Sequence, residues 1–358
     1  MLYSKTIDDL LDIKEIYLEP AVREYKRGQE ILNRFPDARL IEVASHWKIP
    51  ELHGFQGSVE HWLKIKRNML ILGIKKSLTC RPNTRSSNFV SPSESNGCTM
   101  SCSYCYVPRR KGYANPITLF VNIEQIMGYL ERHAKRQGPK TVPDHIDPEY
   151  WVYEIGENGD CSADAAICDN VKDLMTLFKR IPNGKLTFAT KFVNRNMLHY
   201  DPQGKTRIRF SLMPHELSKL VDVRTTPIKA RIEAINDFTA AGYEVNLNFS
   251  PVIYYEGWET DWSDLFTELN DVMDDRTKQQ VSCEIIFLTH NEQLHDVNMG
   301  WHPKAEELLW QPALQEVKYS ETGGRNVRYK RSIKGSLVKQ LETMVREKLP
   351  YCKVRYAF

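Results

Sequence analysis

The stretch SNGCTMSCSYCYVP, Ser95–Pro108, gathers three of the chain's eight cysteines at C-x3-C-x2-C spacing, with no fourth beside them. Gly97 opens this loop and small polar residues crowd it, a setting unlike that of unrelated core cysteines. One reading is a structural zinc site. Such a site closes with four ligands, and the nearest further candidates, Cys80, His133 and His145, stand at irregular spacing. Zinc knuckles also come as paired C-x2-C units, and only one is present. The other reading is a [4Fe-4S] cluster. Four thiolates ordinarily hold such a cluster, so three leave one iron open to an outside ligand.

What flanks the loop decides the scaffold that carries it. Downstream, extended and helical patterns alternate. ITLFVN is extended and IEQIMGYLERHAKRQ helical. EYWVYEIG is a strand, and AAICDNVKDLMTLFKRI a helix. GKLTFATK and TRIRFSL are strands, and PIKARIEAINDFTAAG is a helix ended by Gly242. YEVNLNFSPVI, helical DWSDLFTELNDVMDD and the strand VSCEIIFLT continue the series. Such βα alternation predicts a mostly parallel sheet, barrel-like or doubly wound. Upstream, EIYLEP, helical AVREYKRGQEILNRF and ARLIEVAS form a small α/β unit, and NMLILGIKK adds a strand. SLTCRPNTRSS reads as a linker. The tail has a hairpin, EVKYSETGGRNVRYK, turning at Gly323-Gly324, then helix GSLVKQLETMVREKL and strand KVRYAF.

Bulk properties narrow the class. The chain has 358 residues, 41% hydrophobic and 27% charged, which suits a globular protein of one or two domains. No apolar run approaches the roughly 20 residues of a membrane helix. The N-terminus lacks a secretory pattern, so a cytoplasmic location and no membrane partner are expected. In a reducing compartment, eight cysteines point to metal or catalysis rather than disulfides. A net charge of +3 permits nucleic acid without requiring it.

Three cysteines at this spacing, with aromatic Tyr104 before the last, resemble the radical S-adenosylmethionine (SAM) superfamily. There the open iron takes SAM, and an electron from the cluster cleaves it to a 5′-deoxyadenosyl radical. More narrowly, GCTMSCSYCYVP, LTFATKF, GKTRIRFSL, AAGYEVNLNFSPVIYYEGWE and LETMVREKLPYCKVRYAF, in that order, resemble the spore photoproduct lyase family. The resemblance implies a partial (β/α)6 TIM-type barrel with an N-terminal α/β extension (residues 1–85) and a barrel with its C-terminal segment (86–358). It implies Cys98, Cys102 and Cys105 as cluster ligands, with the main chain near Tyr104 facing adenine. Lys191 and Ser211 match positions lining the SAM site, and Tyr106 matches a tyrosine that relays hydrogen. Each has a plainer reading: a solvated lysine, a turn serine, a packing aromatic.

Two departures stand out. In the family a hydrogen-donor cysteine follows the second barrel strand, but here EIGENGD, Glu154–Asp160, carries Glu157 in its place. Gly156 and Glu157 resemble instead the glycine-acid motif that meets the SAM amino group. Cys161 is a substitute donor, or with Cys168 merely a small packing residue. The family's Arg-Tyr pair is altered in SETGGRNVRY. There Lys318, Arg325, Arg328, Lys330, Arg331 and Lys334 form a basic stripe, able to track phosphates or simply solvated. Arg109, Arg110 and Lys111 add charge after the loop. The expected function is a lyase that abstracts hydrogen from a thymine-type lesion or modified base in DNA, fed by a reductant such as flavodoxin or ferredoxin. The rivals are a radical SAM enzyme on another substrate and a non-catalytic metal-binding nucleic-acid module.

Overall fold

The computed structural model describes residues 6–54, 56–108, 112–319 and 323–358. Its largest sheet has eight strands in the order Lys353–Ala357, Ser282–Phe287, Glu244–Val252, Thr206–Leu212, Gly184–Thr190, Trp151–Glu154, Phe89–Val90 and Arg81–Pro82. All pair in parallel except the last two. This curled sheet with helical crossovers is the expected half-barrel.

The strands alternate in character because their two faces meet different surroundings. In TRIRFSL all seven residues are buried. Ile208, Phe210 and Leu212 join the large apolar core with Phe178, Phe238 and Leu265 of the surrounding helices. Arg207 and Arg209 project the other way, into a lumen filled by paired charges. Arg209 meets Glu154 and, at 2.9 Å, Glu284. Arg207 meets Asp147 at 2.8 Å and Glu244 at 2.5 Å, and Lys185 reaches both acids at 2.7 Å. Buried charges stay only when paired this way, since an orphaned one costs several kcal/mol.

The helices form where apolar residues recur at three- and four-residue spacing. Ile123–Gln137 buries Ile123, Ile126, Leu130 and Ala134, and stops at Gly138 (φ +64). Asn170–Arg180 begins later than AAICDN promised: residues 165–167 form a turn, and Cys168 packs with Ile167 against the N-terminal sheet. Helix Val59–Asn68 was not expected. Its buried residues are Trp62, Ile65 and Lys66, so a lysine stands where periodicity calls for an apolar residue. Helices His215–Val221, Glu292–Trp301 and Pro303–Leu309 were also not expected.

The second sheet runs Arg39–Glu42, Glu15–Leu18, Met69–Gly73, Thr118–Phe120, Ser95–Asn96. ITLFVN therefore pairs in parallel with Met69–Gly73 of the N-terminal unit rather than with the barrel. The stretch holding the cysteines leaves from Ser95–Asn96 and returns to Thr118–Phe120, which pair antiparallel. The hairpin forms from Gln315–Tyr319 and Arg325–Tyr329, with Thr289–His290 as a third strand. Gly323 has φ +79, as the turn requires; Ser320, Glu321 and Thr322 lie outside the described residues.

Candidate active site at the cysteine loop

The loop is braced along its length. Gly97 has φ +85, and a Cβ there would sit 2.1 Å from the Pro116 carbonyl oxygen, so glycine is required. Its amide donates to Asn158 O (2.9 Å), and those of Ser101 and Ser103 donate to Val223 O and Val221 O (both 3.0 Å). Side chains hold the loop's carbonyls. Lys66 Nζ donates to Cys98 O at 2.9 Å, Arg224 Nε to Thr99 O at 3.1 Å, and Asn298 Nδ2 to Ser103 O at 2.6 Å.

Cys98, Cys102 and Cys105 form no disulfide and are partly exposed. Burial pushes the Cys98 thiol up to about 12, Asp160 adds to the rise, and Lys66 opposes it. Cys102 is raised well above its ordinary value by burial and by Asp222, while Lys191 opposes; Cys105 and Cys98 stand near enough to add. The three sulfurs thus stand near enough to influence one another, and metal bound by them would displace their protons. Among the described residues no three His, Cys, Asp or Glu side chains gather closely enough for a single ion. Sulfurs that each take a different iron of a cluster have no such need. The further zinc candidates are engaged elsewhere: His133 Nδ1 with Tyr153 Oη (2.9 Å), His145 Nε2 with Thr84 O (3.1 Å), and Cys80 beside Tyr129.

Behind the loop, three of the expected SAM-site residues meet around Asp222, a fully buried acid. Tyr104 donates its hydroxyl to Asp222, and Lys191 Nζ lies 3.3 Å from the carboxylate and 5.3 Å from the Tyr104 ring centroid. Arg231 pairs with Asp222 at 3.0 Å and donates to Ser211 O at 2.7 Å. The Ser211 hydroxyl accepts from Asn248 Nδ2 (3.1 Å). Burial alone would raise Asp222, but Lys191 and Arg231 hold it below the usual carboxylate range. Asp160 links this group to the loop: it caps the turn at Cys161 and accepts from the Lys191 amide at 2.8 Å.

Glu157 stands on another side. Its carboxylate pairs with Arg81 at 2.5 Å, and its carbonyl accepts from the Tyr106 hydroxyl at 2.5 Å. Tyr106 is half exposed. Glu157 and Arg81 border a cavity of about 330 Å³ that also touches Trp47, Lys75, Asn96 and Gly97. Gly156 has a packing reason to be glycine: an added Cβ would lie 3.1 Å from both Cys161 Sγ and Phe188 Cβ. Cys161 is 1% exposed and belongs to the large core, where burial raises its thiol well above the ordinary value.

The basic stripe is partly neutralised. Arg325 pairs with Glu292, Arg328 with Glu316 at 3.0 Å, and Lys330 donates to Ala313 O at 2.6 Å. Lys334 and Arg85 converge on Phe358, 5.4 and 3.7 Å from its ring centroid. Burial and the neighbouring Arg328, Lys318 and Arg85 lower Lys334 to about 8. Arg109, Arg110 and Lys111 lie outside the described residues. Sequence reasoning did not reach Lys66, Asp222, Arg231 or Arg81. A run such as SKLVDVRTTP gives no local sign that its acid anchors a distant tyrosine and lysine.

A parallel half-barrel with a braced three-cysteine loop beside it, carried between two strands of the N-terminal sheet, is a fold of the radical SAM type. A family model, "Spore photoproduct lyase", matches residues 12–358. The chain belongs to the spore photoproduct lyase family, and it is an enzyme of the lyase class. It is 25% identical over 344 residues to the spore photoproduct lyase of Bacillus subtilis (strain 168), covering 95% of this chain and 97% of that one. The lyase of Geobacillus sp. (strain Y412MC61) is 22% identical over 345 residues, covering 96% and 98%. Among solved structures, a spore photoproduct lyase mutant with bound AdoMet and dinucleoside spore photoproduct superposes with a TM-score of 0.86 at 21% identity, covering 97% of this chain and 99% of that one. A lyase complexed with the dinucleoside spore photoproduct gives 0.87, with the same identity and coverage.

Proposed function

We propose that the chain is a radical SAM enzyme acting on a thymine-type lesion or modified base in DNA. The carrying observation is the cysteine loop: three cysteines at C-x3-C-x2-C spacing, none in a disulfide, whose sulfurs stand near enough to influence one another, while among the described residues no three His, Cys, Asp or Glu side chains gather closely enough for a single ion. Cys98, Cys102 and Cys105 fit a [4Fe-4S] cluster with one iron open. Bound there, the cluster would supply the electron that cleaves SAM to a 5′-deoxyadenosyl radical.

The chain's own residues have supporting roles. Asp222 holds the Tyr104 hydroxyl and the Lys191 ammonium beside the loop, where they flank the SAM position. Tyr106, half exposed with its hydroxyl on Glu157 O, would relay a hydrogen atom. Of the solved lyases of this fold, one holds AdoMet and the dinucleoside spore photoproduct and another the dinucleoside spore photoproduct, which supports SAM as cofactor and a DNA lesion as substrate. Arg85 and Lys334, which converge on Phe358, would meet a phosphate. The electron would come from a flavodoxin- or ferredoxin-type reductant.

A second reading, another base or nucleotide as substrate, is favoured by one observation. The carboxylate of Glu157 is tied to Arg81 and Cys161 is buried, so no thiol after the second barrel strand faces the mouth. Anaerobic reconstitution with iron and sulfide, reduction, and addition of SAM with a spore-photoproduct oligonucleotide tests both. The first reading expects 5′-deoxyadenosine and restored thymine, both abolished by Cys102→Ala. SAM cleavage with an untouched lesion selects the second reading. Intact SAM with a loaded cluster rejects both.

A further inference from the structure

Lys66 is 3% exposed on a helix of the N-terminal unit, and it points at the cysteine loop. Its Nζ donates to Cys98 O at 2.9 Å. Among the described residues no carboxylate stands within ion-pair distance of it. Arg224 shares this situation: it donates to Thr99 O at 3.1 Å and to Leu10 O at 2.7 Å and pairs with no carboxylate among the described residues. The nearby acids are committed elsewhere. Asp160 accepts from Thr190, Lys191 and the turn at Cys161, and Asp222 is paired with Lys191 and Arg231. A buried lysine with no counter-ion is costly. Its natural counter-charge here is the set of three thiolates that ligation would create.

Resting on the proposed cluster, we infer that Lys66 is an electrostatic positioning residue: its buried cation braces the Cys98 main chain and offsets the negative charge of a ligated, reduced cluster, raising its reduction potential. Reduction adds one electron to an already anionic group. A fixed cation nearby in a low-dielectric setting favours that electron's arrival. The N-terminal extension thereby takes part in electron uptake, although its residues carry no cluster ligand.

The test uses full-length reconstituted protein, with iron content and EPR-monitored reductive titration as readouts. Lys66→Met removes charge and hydrogen bond together; Lys66→Gln keeps an amide donor without the charge. The expected result is wild-type iron content in both variants and a reduction equilibrium about tenfold less favourable, a midpoint near 59 mV lower for one electron. Arg224→Gln shifts the midpoint the same way. A midpoint unchanged in all three loaded variants overturns the inference and leaves Lys66 as a packing brace. Loss of iron from both Lys66 variants, with the fold intact by circular dichroism, overturns it equally, because the role is then assembly. A wild-type protein that takes up no iron would instead sink the proposed function, and this inference with it.

Discussion

Cys161 and Glu157 sit four residues apart and meet opposite environments. Cys161 lies against Gly156 and Phe188 in the core, while Glu157 reaches out to Arg81. Cys161→Ala should therefore cost about 1–2 kcal/mol of stability from the lost core contacts, and leave the yield of product per SAM cleaved unchanged. A product yield that collapses while SAM cleavage persists would make this thiol the hydrogen donor after all. The Arg81–Glu157 pair is partly exposed, with side chains 57% and 27% accessible, so its loss should be worth less than about 1 kcal/mol to the fold. A large effect of Arg81→Gln on substrate binding with little on stability would place the pair, and the 330 Å³ cavity it borders, at the substrate.

On the one-turn helix Cys161–Asp164, buried Asp164 stands beside buried Glu94. Ser95 donates to Asp164 Oδ2 at 2.6 Å, and Asn170 lies 3.5 Å from Glu94. Burial raises Glu94 to about 7, and burial together with Glu94 raises Asp164 well above its usual range. The native state thus holds a proton that the unfolded chain releases above the ordinary carboxylate pKa. The folded pKa being the higher one, this contribution is full below the unfolded value near 4.5 and is lost as pH rises through about 7. Stability should fall across that window by up to about 1.4 kcal/mol per pH unit. Glu94→Gln should flatten the dependence, read as urea midpoints at pH 5 and pH 8. An unchanged slope would mean that the proton is not shared here.

At the scale of the whole molecule, the N-terminal sheet is completed by strands from beyond residue 85. Thr118–Phe120 and Ser95–Asn96 form its far edge, and Leu119 and Val121 share a core with Ile16, Leu18 and Leu72. A fragment of residues 1–85 should therefore lack cooperative folding by circular dichroism, since it would expose the Met69–Gly73 edge and its apolar face. A folded fragment with a sharp melting transition would show that the shared strand is dispensable. Among the described residues no helix is long and apolar enough to cross a membrane.

What was legible in the sequence was local. Strand and helix order followed from periodicity, because a strand or helix that buries one face repeats its apolar residues within a few positions. TRIRFSL and IEQIMGYLERHAKRQ both read correctly on that ground. The cysteine loop was legible because the spacing of three cysteines within eight residues is itself a short-range pattern. Long-range pairing was not. ITLFVN reads the same in either sheet, and its place beside Met69–Gly73 comes from hydrogen bonding between segments some 47 residues apart (Ile71 with Thr118). Lys66 occupies an apolar slot of its helix because a distant loop supplies its partner. Asp222 anchors Tyr104 across 118 residues. By itself the sequence determined the order of elements and the three thiols. The tertiary structure decided which sheet each strand joined and which charges face those thiols, because such pairings depend on burial between segments that the chain's local periodicity cannot relate.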